Sequence, residues 1–91
     1  MSKRISDIPE QDRPREKLLA KGARALSDQE LLAVLLGKGT PGMDVMALAG
    51  KLARVMDEKG LGVRSDDLTQ FAGVGDAKAT LLLAAIEFTR R

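Results

Sequence analysis

The chain has 91 residues, 15 Lys and Arg against 13 Asp and Glu, a formal net charge of +2, and two aromatics, Phe71 and Phe88. That length suits one small domain with a modest core, built here from aliphatic side chains. The sequence holds no Cys and no His, which excludes disulfides, zinc fingers and Ser-His-Asp or Cys-His catalysis.

The lack of aromatics also argues against a base-stacking sheet of the kind that reads single strands. No paired acid and base or activated nucleophile stands out, so neither an enzyme activity nor a cofactor is expected. No apolar run approaches membrane-spanning length, and the N-terminus lacks a signal-peptide core. A cytoplasmic domain with no membrane partner is the expectation.

Residues 1–12 are polar, with Ile5 and Ile8 unspaced by any period, and read as an N-terminal arm. A single helical domain is expected over 13–91. Seven basic and four acidic groups fall within residues 1–26. This +3 excess is either a solvated mixed-charge surface or a weak electrostatic footprint for DNA. Pro14 suits the first turn of a helix. That helix continues to Lys21 with Leu18 and Leu19 expected to face inward, and Gly22 stops it.

Ser27-Asp28-Gln29-Glu30 reads as a capping box, in which serine and glutamate each accept from the other's amide. The helix it opens, from Asp28 to about Leu36, is apolar on nearly every side, so it is expected in the middle of the domain. Gly37-Lys38-Gly39-Thr40-Pro41-Gly42 is a turn. It resembles a degenerate hairpin, and Lys38 is either a phosphate contact or an exposed loop lysine. It is not a P-loop, because the Gly-x-x-x-x-Gly-Lys-Ser/Thr spacing is absent.

Asp44 is expected to cap a longer helix to about Glu58, with Val45, Leu48, Ala49, Leu52, Val55 and Met56 at i, i+3, i+4 spacing. Gly60-Leu61-Gly62 ends it. Ser65 is then expected to cap a short helix through Phe71.

The sharpest motif follows. Phe71-Ala72-Gly73-Val74-Gly75, with Ala79 four residues on, predicts a tight hairpin between two helices. Both glycines are expected to supply positive φ, and Val74 to plug the core. The helix from Asp76 to Arg90 would then aim its free N–H groups outward, a ready site for an anion. In one reading the hairpin is only a connector. In the other, the amides of Gly73, Gly75, Ala77 and Lys78 hold a backbone phosphate beside the Lys78 ammonium. A lysine in a first turn opposes the helix dipole, which hints at an anionic partner. Asp76 argues the other way: its carboxylate is expected to cap the helix and to repel phosphate.

The last helix, Ala79-Thr80-Leu81-Leu82-Leu83-Ala84-Ala85-Ile86-Glu87-Phe88, is apolar around its circumference. Either it lies centrally in the bundle, or one side awaits a partner outside this chain. Together the elements predict an all-α fold, a five-helix bundle with no sheet.

Two groups of residues carry a family resemblance. Asp12-Arg13-Pro14-Arg15-Glu16-Lys17-Leu18-Leu19, Ala25-Leu26-Ser27-Asp28-Gln29-Glu30-Leu31-Leu32 and Leu35-Leu36-Gly37-Lys38-Gly39-Thr40 form the first. Gly73-Val74-Gly75-Asp76-Ala77-Lys78-Ala79 with Ala84-Ala85-Ile86-Glu87 forms the second. They resemble the N-terminal region of RadC-family bacterial proteins, named for DNA repair. The resemblance implies a RuvA-like fold with a helix-hairpin-helix unit at 65–90, as the N-terminal domain of a longer protein. The family's second domain resembles MPN-type metal-dependent isopeptidases, whose His-x-His metal motif is absent here.

Two functions follow as expectations. The first is a non-catalytic module that binds DNA backbone without reading sequence, through Gly73, Val74, Gly75, Ala77 and Lys78, with Lys38 as a secondary contact. The second is a docking or regulatory domain for that isopeptidase-like C-terminal domain or for another protein.

Overall fold

A computed structural model describes residues 8, 9, 12–37 and 44–91. Among them are five α-helices and no strand: α1 Pro14–Lys21, α2 Asp28–Leu36, α3 Val45–Lys59, α4 Ser65–Thr69 and α5 Asp76–Arg90. The expected all-α architecture is the observed one. Of the arm, Ile8, Pro9 and Asp12 are described, and the Ile8 carbonyl accepts from Arg13 Nε at 3.2 Å. Ile5 and the Lys38–Gly42 part of the glycine-rich turn lie outside the described residues.

Proline stands at the first position of α1, and Gly22 ends the helix at φ 87°, its amide donating to the Leu18 carbonyl. Leu19 does not face inward: it is 81% exposed. Pro14 is buried, and Leu18, one turn further on, shares its face. Leu19 is rotated about 100° from Leu18, off that face. A short 3-10 turn, Ala23–Ala25, then brings Leu26 to a buried position.

Both halves of the capping box form. Glu30 N–H donates to Ser27 Oγ at 3.2 Å, and Ser27 N–H donates to Glu30 Oε1 at 2.9 Å. Lys17 Nζ reaches Glu30 Oε2 at 3.1 Å and ties α1 to the start of α2. The Ser27 amide, and secondarily Lys17, hold the Glu30 carboxyl below its ordinary value. Its folded pKa therefore lies below its unfolded one, so this carboxylate stabilises the fold fully above about pH 4.5. That contribution disappears as pH falls through the folded value. Ser27→Ala is expected to cost about 1 kcal/mol, a melting-temperature loss of about 4–8 °C in a domain of this size. Glu30→Gln keeps an acceptor for the Ser27 amide but should flatten the acid side of the stability profile. Thermal melts between pH 3 and pH 7 check both.

Helix α3, not α2, occupies the middle of the domain. Leu48, Ala49 and Leu52 are each 0% exposed, while α2 buries Leu32, Ala33 and Leu36 and leaves Leu35 partly in solvent. The reason is amphipathicity: α3 concentrates its apolar residues on one face, with Lys51, Arg54 and Asp57 exposed opposite. A helix with a strong apolar stripe can seat that stripe against several neighbours at once. Asp44 caps it as expected, accepting from Met46 N–H at 3.0 Å. Gln29 Nε2 donates to the Met46 carbonyl at 2.7 Å, linking α2 to the first turn of α3.

Helix α4 is shorter than expected and Ser65 is not its cap. Arg64 holds the cap position, and its amide donates to the Asp67 carboxylate at 2.8 Å. An acid at the third helical position satisfies this end from inside the helix, so no serine hydroxyl is needed. Helix α5 lies on the outside of the bundle, against α4 and α2. It buries only Ala79 and Leu82, with Leu83 and Ile86 packed partly against the core. Of the two placements open for this helix, the central one is not adopted.

Candidate functional site

The hairpin joins α4 to α5. Phe71 N–H donates to the Leu68 carbonyl at 3.4 Å, and Val74 N–H to the Phe71 carbonyl at 3.0 Å. Gly73 sits third in that second turn at φ 84°, the position where a type II turn demands positive φ and hence glycine. Gly75 differs from the expectation: its φ is −91° and ψ −170°, extended backbone open to any residue. A Cβ built there meets nothing within 4 Å. One glycine therefore makes the turn, and the other leaves the helix entrance bare.

The side chains below hold this geometry. Val74 is buried with Leu68, Ala79 and Leu82 in one cluster, as its role of plug requires. Its N–H is already taken by Phe71, so Val74 supplies position rather than a donor. Gly75 is the N-cap of α5, and its carbonyl accepts from Ala79 N–H at 3.1 Å. The amides of Gly73, Gly75, Asp76, Ala77 and Lys78 find no acceptor among the described residues. These free donors stand at the positive end of a 15-residue helix.

The expected Asp76 cap does not form. Gly75, which has no side chain, occupies the cap position, and no side-chain cap bond is present. Asp76 is one residue too far in: a capping side chain must start outside the first turn to reach back to its amides. Its carboxylate has no partner among the described residues and still carries a charge that the helix dipole favours.

Lys78 is half-buried. It lines a groove between α2 and α5 with Leu35, Leu36, Ala77 and Leu81, where its apolar stem can lie along the leucines while the ammonium stays in water. The structure thus brings Gly73, Val74, Gly75, Ala77 and Lys78 to one end of α5. Lys38 lies outside the described residues. The sequence reading missed the groove. It is lined from two helices far apart in sequence, so no local spacing signalled it. No described helix is long and apolar enough to cross a membrane.

A family model described as UPF0758 N-terminal matches residues 5–80, so the chain belongs to the UPF0758 family. A UPF0758 protein of Carboxydothermus hydrogenoformans is 47% identical over 93 residues, covering 100% of this chain and 41% of the relative. One from Methanospirillum hungatei is 42% identical, covering 99% and 40%. One from Aquifex aeolicus is 43% identical, covering 98% and 38%. The chain spans about two-fifths of the length of the curated relatives it matches. No solved structure matches.

Proposed function

We propose that this chain is the N-terminal module of a RadC-like protein, and that α4, the Gly73–Gly75 turn and α5 form a helix-hairpin-helix unit that holds DNA backbone phosphate without reading sequence. One observation carries the reading. The amides of Gly73, Gly75, Asp76, Ala77 and Lys78, without acceptors among the described residues, lie at and just before the first turn of a long helix, and Gly75 leaves that entrance uncovered. Backbone N–H groups at a helix N-terminus bind phosphate oxygens through hydrogen bonds and through the dipole together. Such contacts position a protein on a duplex but carry no base information.

The Lys78 ammonium stands within the same first turn and adds one mobile charge. Asp76 opposes it, so the affinity is weak. A single hairpin neutralises few phosphates, and the logarithm of the affinity should fall with the logarithm of salt at about 0.9 per phosphate engaged. The test is an NMR titration of labelled protein with short duplex and four-way-junction DNA at two salt concentrations. Amide shifts centred on residues 73–79 that shrink as salt rises are expected. Lys78→Gln should reduce both the affinity and the salt slope. An unchanged spectrum at millimolar DNA, or binding indifferent to salt, would overturn the proposal.

A further inference from the structure

We propose that a cleft beside α1 is a second phosphate contact, in which Arg13 and Arg15 hold the DNA backbone on the side of α2 away from the hairpin. This inference rests on the reading of DNA as the partner. The cleft, of about 330 Å³, lies between the start of α1, the last turn of α2 and Val45 of α3. Pro14, Ala33 and Val45 give it an apolar floor, and all three are buried. Two guanidinium groups and one carboxylate, that of Glu16, also line it. Arg13 is half-buried, and its Nε donates to the Ile8 carbonyl at 3.2 Å. That bond fixes the guanidinium and leaves the N–H groups of its two terminal nitrogens for another acceptor. Arg15 is exposed and has no ion-pair partner among the described residues. Lys17, the next base on α1, is instead held by Glu30. Guanidinium forks take phosphate oxygens two bonds at a time, which a lysine cannot do.

Position selects DNA among the carriers of such oxygens. Ala33, Val34 and Gly37 of the α2 end face this cleft, whereas Leu35 and Leu36 face the groove that holds Lys78. At about 100° per residue the two sets lie on opposite sides of the same helical turn. The arginines and Lys78 therefore flank the end of α2, separated by on the order of one helix diameter, 10–12 Å. A duplex carries one phosphate per about 3.4 Å of axis on each strand. Cationic sites that far apart meet different phosphates of one duplex, and each adds its own release of counterions. Glu16 opposes an anion in this cleft, as Asp76 does at the hairpin, so its removal should strengthen binding.

The test is fluorescence anisotropy of a labelled DNA duplex titrated with the 91-residue chain at several salt concentrations, with thermal melts of each variant. Arg15→Gln is expected to weaken binding about fivefold or more at low salt and to lower the salt slope by about 0.9. Its melting temperature should match the parent's, because the side chain is exposed and unpaired. Arg15→Lys should keep the slope and lose part of the affinity, since the charge stays and the fork goes. Glu16→Gln should tighten binding. Asp57→Asn makes the same change of charge 12 residues along α3 from Val45, about 18 Å away along the helix, and should have little effect. The proposal is overturned if Arg15→Gln binds with the parent's affinity and slope, or if Glu16→Gln binds no more tightly than Asp57→Asn. Lys78→Gln, measured alongside, separates the two contacts. Loss with Lys78→Gln but not with Arg15→Gln keeps the hairpin and removes this cleft; the reverse keeps the cleft and removes the hairpin. A parent chain that binds no duplex overturns both.

Discussion

Leu52→Ala is expected to lose about 2–5 kcal/mol, most or all of the stability a domain this small commands. Leu52 is 0% exposed, on the central helix α3, in one cluster with Leu48, Leu68 and Leu82. Truncating it removes three carbons of apolar contact and leaves a cavity in that shared core. The core has no aromatic side chain that could swing in to fill it: Phe71 is only partly buried at the rim and Phe88 is exposed. A rigid aliphatic core collapses poorly around a void, which places this site toward the costly end of the range. Leu61→Ala is the matched control. Leu61 is exposed in the turn after α3, and its loss should stay within about 0.5 kcal/mol. Chemical denaturation of the two variants beside the parent checks the contrast. Two similar midpoints would mean that α3 is not the centre of the bundle.

The helices were legible because their signals are local. Ser27 with Glu30, Asp44 before an apolar run, and Gly22 and Gly60 after one each act within four residues, and each does in the structure what its chemistry dictates. Positions within the bundle were less legible. Both α2 and α5 look more uniformly apolar than α3, yet α3 is central. Total apolarity says how much surface a helix can bury, whereas the segregation of that surface decides how many neighbours can share it.

The candidate site was legible as a motif and misread in detail. Gly-Val-Gly placed the turn and the plug correctly. Equal conformational roles for the two glycines did not follow, because a four-residue turn needs positive φ at one position only. Asp76 looked like a cap since acids favour the starts of helices, but the turn ends one residue earlier and gives the cap to Gly75. The groove between α2 and α5 joins Leu35 to Leu81. It depends on how two distant segments cross, which no spacing within either reveals.

The unequal glycines yield the prediction that best separates fold from function. Gly73→Ala is expected to destabilise the domain by about 1–2 kcal/mol, since a residue with a Cβ must enter positive φ at a turn that also positions the buried Val74. Gly75→Ala should do nothing of the kind. Its φ of −91° suits alanine, the new methyl meets no atom within 4 Å, and reduced freedom in the unfolded chain can even add about 0.4–1 kcal/mol. If the amides from Gly73 to Lys78 hold phosphate, however, that methyl stands at the helix entrance where the oxygens must approach. DNA affinity should then fall about tenfold, equivalent to about 1.4 kcal/mol, with the melting temperature unchanged or higher. Gly75→Ala also leaves Lys78 and every other charge in place, so the loss cannot be electrostatic. Melting curves and DNA titrations of both variants at one salt concentration check this. A Gly75→Ala protein that is stable and binds DNA as the parent does would show that phosphate does not enter at the hairpin. A protein weakened in binding yet intact in stability would locate the contact at the backbone itself, the one part of the site that mutation of charged side chains cannot test.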